Sequence, residues 1–254
     1  MQYNTGMQHI INCLHQHLTM AMEQAKSVLF LIPLVLLILG SAFPAFAEST
    51  IKCHCFQDRS YNPADRFAAD DYILATSFNS LLARSFAIPH RQIILFKMRE
   101  GVVQDELLIA LKITKVTGAD LKTLLSLRRK NKTWGEIISK MPQNNILKKD
   151  EILEAIVAGM PSDEAGARIA DEMIGEFYQV PPEHIKKLRM SGLNEKQLAL
   201  VFILSYVSEI PSEKLVEQYK KLGRSWSEIA HNIGLEPKAA GRLILEYPAT
   251  NIFQ

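Results

Sequence analysis

The densest group of reactive side chains is the tripeptide Cys53-His54-Cys55. Two thiolates and an imidazole are ligands that zinc and copper accept. Three adjacent residues do not easily enclose one ion, so a metal site here would need further ligands from nearby aspartates or a partner chain. In an oxidising compartment the two cysteines could instead form a disulfide. Three interpretations stay open: a structural or labile disulfide, a zinc or copper site, and no special role.

No other part of the chain has the spacing of a catalytic motif. His90, His184 and His231 are dispersed, and the sequence contains neither a glycine-rich phosphate loop nor a zinc-protease helix pattern. Asp70 and Asp71 are adjacent on a predicted helix, where neighbouring side chains point about 100° apart, so we expect a solvated face. The sequence therefore assigns no catalytic residue and favours a non-enzymatic protein.

The amino-terminal region has the layout of a secretory signal. Lys26 precedes an apolar run over residues 28–40, and a small-residue stretch ends in the cleavage pattern Ala45-Phe46-Ala47. The apolar run is shorter than the roughly 20 residues of a membrane span. We therefore predict a signal peptide over residues 1–47 and export to the periplasm or the exterior, without a membrane span after cleavage.

The composition excludes several classes of protein. Hydrophobic residues make up 48% of the 254 residues, and 29 Lys and Arg face 27 Asp and Glu. Such a chain is neither a disordered polyelectrolyte nor a disulfide-stapled miniprotein. Because the net charge is only +2, an electrostatic function must come from local clustering.

The remaining sequence predicts an all-α fold. Apolar residues recur at helical spacing, and no alternating strand pattern of comparable length is present. A loop over residues 48–62 carries the cysteines, and Pro63 is placed to begin the first helix. Thr133 with Glu136, and Ser225 with Glu228, have the form of capping boxes at helix starts.

A recurrence at an offset of about 92 residues indicates an internal duplication. Both tryptophans, Trp134 and Trp226, fall at matching places, each followed by its capping glutamate, Glu136 or Glu228. These four residues are the predicted anchors of the repeat. We expect two related helical bundles, module 1 over residues 63–159 and module 2 over residues 160–254; the sequence leaves open whether they pack together.

Basic clusters precede both tryptophans at the same offset. Cations at helix ends interact favourably with the helix dipole, which explains the clusters without any partner. The alternative is a paired site for an anionic surface such as lipid head groups, polysaccharide or extracellular nucleic acid. The residues of this candidate site are Arg128, Arg129, Lys132, Lys220, Lys221 and Arg224.

Residues 225–244 resemble the helix-turn-helix of DNA-binding proteins. Ala230 and Gly234 have the spacing of the small residue and the glycine that shape its turn. The second helix, however, has only Lys238 and Arg242, among alanines, as side chains that could contact base edges, which is few for a DNA-reading helix. With an export signal in front, the motif is interpreted as a three-helix packing unit, and nucleic acid is not the expected partner.

Three functional hypotheses follow. The first is an exported, non-enzymatic interaction or scaffold protein that binds another envelope component, either a protein or an anionic surface. The second is a small metal-binding or thiol-redox envelope protein that uses Cys53, His54 and Cys55. The third is a helix-turn-helix nucleic-acid binder.

Overall fold

The computed structural model describes residue 56 and residues 58–142 and 150–246. The predicted leader and the tripeptide Cys53-His54-Cys55 lie outside these residues. Ile51–Gln254 form one compact unit.

The described residues form twelve α-helices and no β-strand, which confirms the predicted all-α fold. In chain order the helices are α1 (Asp70–Ser85), α2 (His90–Met98), α3 (Gln104–Thr117), α4 (Leu121–Arg129), α5 (Trp134–Ser139), α6 (Glu151–Val157), α7 (Ser162–Tyr178), α8 (Pro182–Met190), α9 (Glu195–Ser208), α10 (Ser212–Lys220), α11 (Trp226–Asn232) and α12 (Pro237–Glu246).

The first helix begins later than the sequence predicted. Instead of starting at Pro63, α1 starts at Asp70 after a run of turns. The side chain of Asn62 accepts a hydrogen bond from the backbone N–H of Ala64 at 3.0 Å, and its carbonyl accepts one from Asp65 at 3.1 Å. This local turn competes with helix formation.

The core is built around two central helices. In α3 the run Leu107–Ile113 is buried, and in α9 the run Gln197–Leu204 is buried. A helix that is apolar on all sides needs partners on all sides. The surrounding helices supply them, each through one buried stripe, and one continuous hydrophobic cluster contains residues of both predicted modules.

The first helix of each module packs on the other module. Helix α1 makes its most extensive contact with α12 and also packs on α9 and α11, all from module 2. Helix α7 packs on α3 and α6 from module 1. The modules, whose mutual packing the sequence left open, therefore share one core.

The contact between α1 and α12 requires a glycine. A Cβ atom on Gly241 would lie 2.7 Å from Thr76 Oγ1, 3.0 Å from the Thr76 carbonyl oxygen and 3.0 Å from Ser80 Oγ. The two backbones can approach this closely only because position 241 carries no side chain.

Replacing Gly241 with alanine should destabilise the protein. Alanine gains helix propensity of about 1 kcal/mol, but the clash with Thr76 costs about 1–3 kcal/mol. The difference gives a net loss of about 1 kcal/mol in the free energy of unfolding, measured in urea. The control is Lys238→Ala on the exposed face of α12, which should change stability by less than about 0.5 kcal/mol. A Gly241→Ala variant as stable as the parent would contradict the packing.

Candidate functional site

Positive charge is concentrated on four short helices. Residues 89–103 and 119–133, which contain α2 and α4, carry eight Lys and Arg against two acidic residues. Residues 182–194 and 211–225, which contain α8 and α10, carry seven against three. The rest of the chain has 14 Lys and Arg against 22 acidic residues. The nearly neutral total charge is therefore the sum of basic helices and an acidic remainder of the chain.

In module 1, two of the three predicted basic residues are neutralised by carboxylates. Arg128 donates from Nε and Nη2 to the two carboxylate oxygens of Glu106, at 2.6 and 3.0 Å. Arg129 Nη1 lies 3.1 Å from Glu100 Oε2. The charged group of Lys132 has no described carboxylate within 4.0 Å. Arg128 is therefore neutralised by a structural ion pair, whereas Lys132 forms no close ion pair and interacts with Glu136 only at longer range.

In module 2, the corresponding residues are paired less tightly. Lys221 Nζ lies 3.2 Å from Glu217 Oε1, and Arg224 donates to the amide oxygen of Gln218 at 2.8 Å. Lys220 donates only to the carbonyl oxygen of Gly192, at 3.4 Å. All three side chains lie around the end of α10, where they remain open to solvent.

Most of the unpaired cations of α2, α4, α8, α10 and their flanking residues were missed by the sequence analysis, which considered only the duplicated clusters. Apart from the largely buried Lys97, they are the cations of these segments that have no described carboxylate oxygen within 4.0 Å. They are Arg91, Arg99, Lys122, Lys130, Lys132, Lys186 and Lys220. The signal that could have found them is the helical phase, since they lie away from the buried leucines of their helices.

A shallow groove of about 430 Å³ separates α8 from α10. Leu188 and Val216 form its apolar floor, and lysines stand on both walls. Lys187 donates to Glu213 at 3.0 Å. This hydrogen bond is the main cause that lowers the pKa of Glu213 to about 2. The carboxylate therefore stays charged and compensates Lys187, which leaves Lys220 as the unpaired cation of the groove.

The two tryptophans are core residues. Trp134 is 3% exposed, and its indole N–H donates to Glu106 Oε2 at 2.7 Å, so the same carboxylate holds both Trp134 and Arg128. Trp226 is 1% exposed and stacks on Tyr219 with 4.4 Å between the ring centroids. Neither indole is a surface for ligands.

The two capping glutamates are used differently. Glu136 forms a complete capping box, in which its carboxylate accepts from the backbone N–H of Thr133 at 2.8 Å. The hydroxyl of Ser225 accepts from the backbone N–H of Glu228 at 3.0 Å, but the Glu228 carboxylate pairs with Arg66 at 3.1 Å. The second box is therefore only half formed.

A polar cluster joins the modules at their centre. Lys97 donates to Asn79 at 2.9 Å and to Gln104 at 3.3 Å. Arg189, 92 residues further on, pairs with Asp171 at 2.7 Å and Glu195 at 3.4 Å.

Gln104 and Glu195 connect the contacts of Lys97 with those of Arg189, with 2.5 Å between the Gln104 amide nitrogen and a Glu195 carboxylate oxygen. The direct partners of Lys97 are neutral amides. Burial is the main cause that lowers the pKa of Lys97 to about 8; Lys196 contributes to the lowering and Glu195 opposes it.

Asp70 does not lie on a solvated face, so that expectation was wrong. Its carboxylate accepts from the backbone N–H groups of Trp226 and Ser227, at 3.0 and 2.8 Å, and from the hydroxyl of Ser227 at 2.8 Å. Burial raises the pKa of Asp70 and these hydrogen bonds lower it, with a net upward shift. Asp70 thus links the first helix to module 2.

The segment that resembles a helix-turn-helix forms α11, a turn at Gly234 and α12. Its second helix is covered on one face by α1, where Ala240 and Gly241 are buried. Lys238 and Arg242 are exposed on the other face.

Among residues 56, 58–142 and 150–246, no three His, Cys, Asp or Glu side chains are grouped as metal ligands. No helix in this part of the chain is long and apolar enough to cross a membrane. The predicted zinc or copper site at Cys53, His54 and Cys55 stays a prediction.

The chain matches no family model, no curated protein and no solved structure.

Replacing Lys97 with methionine should remove a pH dependence of stability. The unfolded chain keeps the Lys97 proton up to about pH 10.5, whereas the folded protein releases it near pH 8. Between these values the unfolded state binds more protons, so raising the pH favours folding of the parent. Urea unfolding on both sides of this interval should show the parent gaining stability relative to Lys97→Met as the pH rises. Parallel pH profiles would contradict the burial of this amine.

Proposed function

We propose that this chain is an exported, non-enzymatic helical protein that binds an anionic envelope component through the basic helices α2, α4, α8 and α10. The observation that carries the proposal is the charge segregation. These helices and their flanking residues have a net charge of +10, and the rest of the chain has −8. Segregation of this kind creates a local potential that attracts polyanions or anionic surfaces.

The basic residues converge at the carboxyl ends of their helices. In module 1, the pair between Arg129 and Glu100 brings the end of α4 next to the end of α2. Arg99 and Lys130, which follow these helices directly, are exposed and unpaired with any described carboxylate. In module 2, Lys220 reaches Gly192 after α8, and the end of α10 likewise meets the end of α8. We call these two surfaces basic end 1 (Arg99, Arg129, Lys130, Lys132) and basic end 2 (Lys187, Lys220, Lys221, Arg224).

Helix dipoles account for part of this arrangement, because cations favour the carboxyl ends of helices. The helix dipole, however, does not explain why several of these cations lack carboxylate partners. Around basic end 1, Glu100 pairs with Arg129, and Glu136 interacts with Lys132 at longer range. Arg99 and Lys130 have no described carboxylate within 4.0 Å and are thus available to a ligand.

The proposal includes an internal duplication that gives the protein two such ends. Helices α2, α3 and α4 have 9, 14 and 9 residues, and so do α8, α9 and α10. The bond between Gln104 and Glu195, 91 residues apart, is what equivalent residues make across a two-fold axis. Two linked basic ends would bind a repetitive anionic surface more tightly than either alone.

Export is the second part of the proposal. The apolar run over residues 28–40, followed by Ala45-Phe46-Ala47, is the motif that supports it. An envelope location would offer the anionic lipids and polysaccharides that basic ends 1 and 2 fit.

Charge reversal at basic end 1 tests the binding proposal. The variant Arg99→Glu/Lys130→Glu should weaken binding to phosphatidylglycerol vesicles or to heparin by at least about tenfold, since each cation near an anionic surface contributes about 1 kcal/mol. Binding of the parent should fall as salt rises. Vesicle sedimentation and heparin affinity chromatography measure both effects.

The matched control is Lys238→Glu/Arg242→Glu, which makes the same change in net charge on the exposed face of α12. It should retain most of the binding. If both variants lose affinity equally, or if the parent binds neither vesicles nor heparin, the proposed anionic site is wrong. Circular dichroism of each variant distinguishes lost binding from lost folding.

A further inference from the structure

The amino-terminal segment of the described chain lies along helix α11. Arg66 pairs with Glu228 at 3.1 Å, and the carbonyl oxygen of Arg66 lies 2.9 Å from Ser227 Oγ, whose proton it shares with Asp70. Tyr61 stacks on His231 with 4.7 Å between the ring centroids. Residues 61–66 therefore occupy the surface of α11 through an ion pair, a backbone hydrogen bond and an aromatic contact.

Helix α5, 92 residues before α11, carries an open groove instead. The groove has a volume of about 660 Å³ and runs between α5 and the link from α6 to α7, lined by Glu136, Ser139, Lys140, Val157 and Met160 among others. Where residues 61–66 lie along α11, the end of α6 contacts α5 instead: a Cβ atom on Gly135 would lie 3.3 Å from the carbonyl oxygen of Ile156. The groove remains open beside this contact.

The residues that meet the segment on α11 have smaller or freer counterparts on α5. Gly135 stands at the position of Ser227, and Ser139 at the position of His231. Glu136, at the position of Glu228, is exposed and turns its carboxylate back to Thr133. Glu136, which pairs with no described arginine, forms a complete capping box. Glu228, which pairs with Arg66, does not.

We propose that the open groove on α5 is a docking site for an extended, arginine-bearing segment of a partner protein. The arginine pairs with Glu136 as Arg66 pairs with Glu228, and apolar side chains of the segment contact Val157 and Met160. Val157 is 45% exposed, which is unusual for a helix that otherwise buries its aliphatic residues. Lys140, exposed directly after α5, provides a partner for a carboxylate of the segment.

This inference rests on the duplication within the proposed function, but not on the anionic site. Arg99 and Lys130 do not line the groove. Failure of vesicle and heparin binding would therefore leave the docking site standing, and failure of docking would leave basic end 1 standing.

The experiment uses the full mature chain and a labelled peptide with the sequence of residues 58–69. Fluorescence anisotropy should show saturable binding that the substitution Arg66→Ala in the peptide weakens by about tenfold or more, as expected for a lost charge-assisted pair. Glu136→Gln in the protein should weaken binding to a similar extent. Glutamine is also accepted at this position of a capping box, so the variant keeps its fold.

The matched control is Glu228→Gln, which alters the same position on α11 and should leave peptide affinity within about twofold of the parent. Absence of saturable binding, equal affinity of parent and Glu136→Gln, or loss of binding only in Glu228→Gln would overturn the proposal. The last outcome would mean that the peptide merely exchanges with residues 58–69 on α11. Self-association of the parent that Glu136→Gln abolishes would assign the groove to a second copy and overturn the partner-protein version.

Discussion

The rest of the structure depends on one constraint: the first helix of each predicted module packs on the other module. We call this arrangement the helix exchange. Helices α3 and α9 are apolar on nearly every side and cannot be covered by the short helices around them alone. Each is covered in addition by the long first helix of the other module, α7 on α3 and α1 on α9. Neither module can complete this arrangement without the other, which explains why one continuous core spans both.

The exchange also determines where charge can accumulate. With α1 and α7 used to close the core, the short helices α2, α4, α8 and α10 remain at the outside, and their free faces carry the basic residues. Two acidic side chains on helices around the core make structural contacts: Glu106 holds Arg128 and Trp134, and Asp171 holds Arg189.

The same constraint makes the two halves unequal. Residues 61–66, before α1, lie along α11, whereas α5 is contacted by the end of α6 and keeps an open groove beside it. The difference is visible at Glu228 and Glu136, which occupy matching positions but hold different partners.

Features that depend on residues close together in the chain could be predicted from the sequence, whereas contacts between distant residues could not. Helical periodicity and the capping box at Thr133 depend on residues within one or two turns, so both could be predicted. The late start of α1 was missed because the turn formed by Asn62 outweighs the favourable placement of Pro63. Asp70 was misread since its partners, Trp226 and Ser227, are more than 150 residues away.

The candidate site shows the same limit. The sequence placed Arg128, Lys132 and Lys220 in the candidate basic clusters. Only the fold shows that Arg128 is neutralised by Glu106, 22 residues earlier. The order of the predicted helices, likewise, cannot indicate which module a helix packs on, because the helices of both predicted modules offer apolar faces.

Cysteine cross-linking tests the helix exchange most directly. In a background with Cys13, Cys53 and Cys55 replaced by serine, the pair Thr76→Cys/Gly241→Cys should form a disulfide, since a Cβ atom at position 241 would lie 2.7 Å from Thr76 Oγ1. The pair Thr76→Cys/Leu153→Cys, which would join α1 to the buried face of α6 in its own module, should stay reduced. Oxidation of the second pair and not the first would show that α1 packs within its own module and would contradict the account.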